Sequence, residues 1–267
     1  VIIRSDKFKF MICGVPRSGT TLLAAIFNSC EGCTCLSEPH LELLFKNSVT
    51  ALGHSVIVRD RTDTPLDQLV SSLNGHVGFK ETFRSLQVDD DGNVVDATFD
   101  IVDLLKNQTP FPFSGISDSD LEMFPITVRL FENYEQAGYR RFNIVRDPVA
   151  CWNSTKVLLH KWGRLNQHML TNFATNYTAF IKTCDEHSVI YENLCLDPST
   201  EIFRATKLII DGPVQLVPDS LVKGDPIARS STEAKLHGNY NVASLNELHS
   251  LAECMERYMD IRSKANG

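Results

Sequence analysis

The sequence predicts a single α/β domain over residues 1–267, built on a doubly wound, mainly parallel sheet with helices on both faces. Three observations point to it. Apolar runs of strand length alternate along the chain with segments of helical period. The first of these runs empties into a glycine-bearing loop that leads directly into a helix, as in a βα unit. No Pro- or Gly-rich linker divides the 267 residues, and 43% hydrophobic with 22% charged residues suits a chain that buries one large core.

Each element has its own signal. KFKFMICGV gives a buried strand from Phe8 to Cys13, and TTLLAAIFNSC, from Thr20, carries apolar residues at helical spacing behind two hydroxyls. HVGFKETF, residues 76–83, reads as a second strand whose end projects Lys80. Residues 86–124 contain DDDG, TPFPF and SDSD, which are turn signals, and read as an insertion with short helices. Ile126 to Gly138 follows as a helix ended by glycine, then a strand from Phe142 to Val145. Asp147-Pro148 has the order of an N-cap and a first-turn proline, so a helix starts there and runs through ACWNSTKVLLH. Leu165 to Cys184 is a further helix, SVIYENL a fourth strand, and NELHSLAECMERYMDIRSK an amphipathic helix that packs on the core.

Composition excludes several functions. A net charge of −7 argues against nucleic-acid binding, which needs a surplus of Lys and Arg. No apolar run reaches the roughly 18 residues of a membrane span. Eight scattered cysteines do not make a disulfide scaffold, and the expected compartment is reducing and cytoplasmic. Cys30, Cys33 and Cys35 form a C-x-x-C-x-C cluster that could supply three metal ligands, with His40 nearby. The plainer reading is thiols in a turn, because no fourth ligand stands at finger-like spacing, and no metal is expected.

The chemistry gathers at the ends of strands. GVPRSGTTLL, from Gly14, resembles the phosphate-cradling pattern G-x-x-x-x-G-K-[ST], but Thr20 replaces its lysine and the positive charge sits inside the loop as Arg17. The backbone N–H groups of Ser18, Gly19, Thr20 and Thr21 at a helix start form an anion site. Arg146 ends a strand, and the capped helix behind it sets Ser154 about two turns on, giving a second anion pocket with a fork donor and a hydroxyl. Lys80 and Tyr191 also fall at strand ends, where ligands of open parallel sheets collect. Two separate pockets describe a ligand with phosphates at two places.

These residues resemble the PAPS-dependent sulfotransferases. PRSGTTLL at 16–23, RDPVACWNS at 146–154, GFKET at 78–82, Tyr191 to Leu194 in a Y-E-x-L stretch, and KGDPIARS at 223–230 carry the likeness. GVPRSGTTL followed by Ser37-Glu38-Pro39 is most similar to the protein-tyrosine sulfotransferases and their bacterial relatives. The resemblance implies a P-loop NTPase-like fold and metal-independent, in-line transfer of a sulfuryl group from PAPS to a hydroxyl, or less readily an amine. It implies that the first motif wraps the 5′-phosphosulfate, that Arg146 and Ser154 of the second hold the 3′-phosphate, and that Tyr191, Lys223, Gly224 and Arg229 also bind the cofactor. Arg17 and Lys80 are then expected at the bridging and leaving oxygens, and Glu38 as base, with His40 and Glu81 as competitors. The acceptor could be a small molecule, a carbohydrate or a peptide, with the 86–124 insertion over its site. The alternative is a P-loop nucleotide-binding protein or kinase with a degenerate loop, which would need a lysine at position 20 and an acid for Mg²⁺.

Overall fold

The computed structural model describes residues 1–39, 48–51, 54–57, 73–83, 86–88, 94–96, 128–161, 165, 168–212, 214 and 243–267. At its centre five strands run parallel: β2 (Lys9–Gly14), β3 (Cys33–Ser37), β6 (His76–Thr82), β9 (Arg140–Val145) and β10 (Val189–Ile190). Two strands not foreseen from the sequence, β4 (Ser48–Ala51) and β5 (His54–Ile57), extend the sheet antiparallel beyond β3, in the order β10-β9-β2-β6-β3-β4-β5. A separate antiparallel pair joins β1 (Ile2–Arg4) to β11 (Ile209–Asp211).

Strand β2 explains the layering. Its residues are nearly all buried and alternate between two cores. Phe10 and Ile12 face Leu23, Ile26 and Phe27 of α1 (Thr20–Asn28), with Phe142 and Ile144 from β9. Met11 and Cys13 face the opposite core, with Phe131 of α2 (Val128–Gln136), Trp152 of α3 (Pro148–Lys161) and Tyr177 of α4 (Met169–Ile181). In the α1 core Phe10, Phe27 and Phe142 pack together with centroids 4.8 to 5.9 Å apart, which fixes α1 against the sheet. Helices on both faces of a mainly parallel sheet are as expected.

Several boundaries differ from the sequence reading. SVIYENL is not a strand throughout: β10 stops at Ile190, and Tyr191 begins the short helix α5 (Tyr191–Leu196). The carboxylate of Glu201, on α6 (Pro198–Thr206), accepts the Ile190 N–H at 2.6 Å and helps end the strand. The helix expected from Leu165 starts at Met169. The C-terminal helix is two, α7 (Leu245–Ser250) and α8 (Ala252–Asn266), broken at Leu251, which is fully buried in the core. Within the proposed 86–124 insertion, the described residues are the paired strands β7 (Leu86–Val88) and β8 (Val94–Asp96), not helices, and the rest lies outside the described residues. Asp147 caps α3 as expected, accepting from the Ala150 N–H at 2.8 Å. Among the described residues no helix is long and apolar enough to cross a membrane.

Candidate anion site

Register brings the candidate residues to one edge. Ile12 of β2 pairs with Lys80 of β6, Ser37 of β3 pairs with the same lysine, and Gly14 pairs with Thr82. The loop after β2, the ends of β3 and β6, and Arg146 after β9 therefore emerge at the carboxyl end of adjacent parallel strands. The β2 connection through α1 leads to β3 on one side of β2, where β6 also lies, and the chain places β9 on the other side only after β6. Such a switch in direction opens a crevice.

The loop from Gly14 is tightly wound. A Cβ on Gly14 would lie 2.3 Å from Ser18 Oγ, so the Ser18 side chain folds back over a position only glycine can hold. The Ser18 N–H donates to the Val15 carbonyl at 3.1 Å, which removes it from the expected set of ligand-facing donors and leaves Gly19, Thr20 and Thr21. Gly19, at φ 107°, is the N-cap of α1 and no side chain caps this helix, so its dipole end is open to an anion. Ser18 Oγ is buried and meets no hydrogen-bonding partner among the described residues.

Two hydrogen bonds link the two expected pockets. Arg17, itself at φ 69°, donates from Nε to Ser154 Oγ on α3 at 3.0 Å, and Arg146 donates from Nη1 to the Arg17 carbonyl at 3.1 Å. The Arg146 guanidinium lies 4.4 Å from the centroid of the Tyr191 ring, and that ring rests on Gly19, where a Cβ would come within 2.3 Å of it. Tyr191 thus acts from the start of a helix rather than from a strand end. Burial pushes its hydroxyl well above the ordinary tyrosine range, so it serves here as a neutral ring. Cys151 closes the back of the loop, donating to the Pro16 carbonyl at 3.2 Å, and burial pushes its thiol up to about 12.

Lys80 and Glu38 stand together at the ends of β6 and β3. Lys80 Nζ lies 3.3 Å from Glu38 Oε1, and the Thr82 hydroxyl donates to the same oxygen. The Glu38 N–H donates to the Lys80 carbonyl at 2.9 Å, which locks this residue at the left-handed φ of 46°. Lys80 and Thr82 share one face of β6 because they are two residues apart. Glu81, the competing base, has the opposite parity and lies near Cys13 and Arg141, away from Glu38. His40, Lys223, Gly224 and Arg229 lie outside the described residues. Cys30, Cys33 and Cys35 are buried in the α1 core, and burial raises all three thiols.

Sequence reasoning missed four contributors. Thr82 could have been found from its spacing to Lys80. Glu192 follows Tyr191 directly, and its carboxylate accepts the Asp147 N–H at 3.0 Å and the Tyr258 hydroxyl at 2.6 Å. Tyr177 accepts the Arg146 N–H at 3.4 Å and donates to the Arg146 carbonyl. Neither Tyr177 nor Tyr258 carries any local signal. No family model, curated protein or solved structure matches the chain.

Proposed function

We propose that the chain is a PAPS-dependent sulfotransferase that moves a sulfuryl group to a hydroxyl, or an amine, of an acceptor, on a P-loop NTPase-like fold. The observation that carries this reading is the Arg17–Ser154 and Arg146–Arg17 linkage, two hydrogen bonds that bring the two expected anion motifs into direct contact. The residues fit the donor. Uncapped N–H groups at the start of α1 suit the 5′-phosphosulfate, and the buried guanidinium of Arg146 suits a second phosphate.

PAPS supplies the sulfuryl group, and its 5′-phosphate departs with the bonding electron pair as the sulfur joins the acceptor oxygen. Arg17 and Lys80 hold that phosphate as its negative charge grows. Glu38 takes the proton from the acceptor hydroxyl, and Thr82 fixes the carboxylate that receives it. The reaction has a loose, in-line transition state, so the work of these groups is placement and charge stabilisation.

Calorimetric titration with PAP, AMP and ATP-Mg tests the reading. Micromolar PAP affinity, at least tenfold weaker binding of AMP, and loss of that difference in Arg146→Ala are expected. Preference for ATP-Mg, the signature of a nucleotide-binding module with a degenerate loop, overturns it.

A further inference from the structure

We infer that Glu192 is the positioning residue of the anion site: it fixes the strand-to-helix corner from which Arg146 points, and the C-terminal helix α8 fixes Glu192. This rests on the reading of Arg146 as a phosphate ligand. Glu192 has no place in the sulfuryl transfer itself.

Residues 146 and 147 belong neither to β9 nor to α3, so their backbone groups need other partners. Side chains from other helices supply them. Tyr177 on α4 holds both the N–H and the carbonyl of Arg146. Glu192 on α5 accepts the Asp147 N–H through Oε1, and its Oε2 accepts the Tyr258 hydroxyl from α8. Glu192 is 7% exposed, and both of its carboxylate oxygens are hydrogen-bonded there. One residue earlier, Tyr191 faces the Arg146 guanidinium and covers Gly19. A single short turn of chain therefore sets the backbone below Arg146 and the aromatic ring beside it. Displacing that turn moves both together, and a shift of about 1 Å in a positioned ligand group costs on the order of a hundredfold in function.

Three variants separate positioning from general stability. Glu192→Gln keeps both geometric links, because its amide oxygen accepts from Asp147 and its NH₂ donates to the Tyr258 oxygen. Glu192→Ala removes both, and Tyr258→Phe removes one. PAP and AMP titrations are made at a temperature where circular dichroism shows each variant folded. The expected result is a tenfold or greater loss of PAP affinity in Glu192→Ala that exceeds the loss for AMP, a loss of about threefold in Tyr258→Phe, and near-complete rescue in Glu192→Gln.

A ligand-free arm uses ¹⁵N-arginine labelling. The Nε–H of Arg146 is buried, and its resonance, assigned by its absence in Arg146→Lys, is expected to exchange slowly with solvent. That signal broadens or exchanges rapidly in Glu192→Ala and persists in Glu192→Gln. If the wild type does not bind PAP, the sulfotransferase reading falls and the resonance alone decides the role of Glu192. An unchanged Arg146 resonance in Glu192→Ala overturns the inference, whatever the protein binds.

Discussion

Gly19→Ala compared with Gly138→Ala measures how tightly the anion loop is packed. Both glycines have positive φ, 107° and 87°, but a Cβ at Gly138 meets nothing within 4 Å, whereas at Gly19 it meets Tyr191 Cδ2 at 2.3 Å and Ile144 Cδ1 at 3.2 Å. The left-handed backbone alone costs a non-glycine residue about 1–2 kcal/mol, and the stabilisation from restricting the unfolded chain is similar at both sites. Those contributions cancel in the comparison. What remains at Gly19 is overpacking against a buried ring that already contacts the Arg146 guanidinium, a cost of about 1–3 kcal/mol. Urea unfolding followed by circular dichroism should place Gly19→Ala below Gly138→Ala by that amount. PAP titration should show at least a tenfold loss in Gly19→Ala and none in Gly138→Ala. Equal destabilisation of the two variants would refute the claim that Tyr191 is wedged against the loop.

Other perturbations test separate parts of the structure. Lys80→Ala should lower kcat for sulfuryl transfer by about 10²–10³, the usual loss for one donor to a developing oxyanion; Glu38→Gln should flatten the acid limb of the kcat profile, and an unchanged profile removes Glu38 as the base. Burial of Glu247 disfavours its charge, but bonds from Lys156 at 2.6 Å, the Ser244 N–H at 2.8 Å and Trp152 Nε1 at 2.8 Å outweigh it and hold the carboxyl at about 2. Its folded pKa is depressed from the usual 4.5, so the stability it contributes is present above pH 4.5 and lost as pH falls toward 2. The stability gap between wild type and Glu247→Gln in urea should close across that window. All eight cysteines are buried, with thiols such as Cys30 and Cys151 pushed up to about 11 and about 12, so an aromatic disulfide reagent at pH 8 should label none rapidly in the native protein and eight in denaturant. Rapid native labelling of Cys30 would contradict its place in the core.

The parts of the fold that were legible are those decided by nearby residues. Strand β2 reads directly because its run is buried on both faces, and α3 reads because Asp147 and Pro148 mark its start. The illegible parts depend on distant ones. β4 and β5 are four residues each, too short for a period to declare itself. Tyr191 follows an apolar pair and looks like more strand until Glu201, eleven residues beyond Ile190, takes the N–H that ends it. Within the site, Arg17, Lys80 and Arg146 were visible as charges at strand ends. Their supports were not: Tyr177 reaches Arg146 across 31 residues and Tyr258 reaches Glu192 across 66, and no window of sequence contains either pair.

Two buried or half-buried arginines differ in what surrounds their charge. Arg204 is a structural arginine: Nε and Nη2 donate to Glu201, and Nη2 also donates to the Ser188 carbonyl at 2.6 Å. Arg146 is 5% exposed, yet among the described residues no carboxylate lies within ion-pair distance of it, and its Nε has no hydrogen-bonding partner. A carbonyl and an aromatic face are weak compensation for a buried charge, whose effective desolvation penalty is several kcal/mol. Among the described residues no carboxylate supplies that counter-charge, and under the proposed function a bound phosphate would bring it. Arg204→Met strands the Glu201 carboxylate, itself 3% exposed, and should destabilise the protein by about 3–5 kcal/mol. Arg146→Met strands no carboxylate and should cost far less stability in the ligand-free protein while abolishing PAP binding. If the two variants instead unfold alike, Arg146 is held by the fold for its own sake, and the argument that its charge awaits an anion fails.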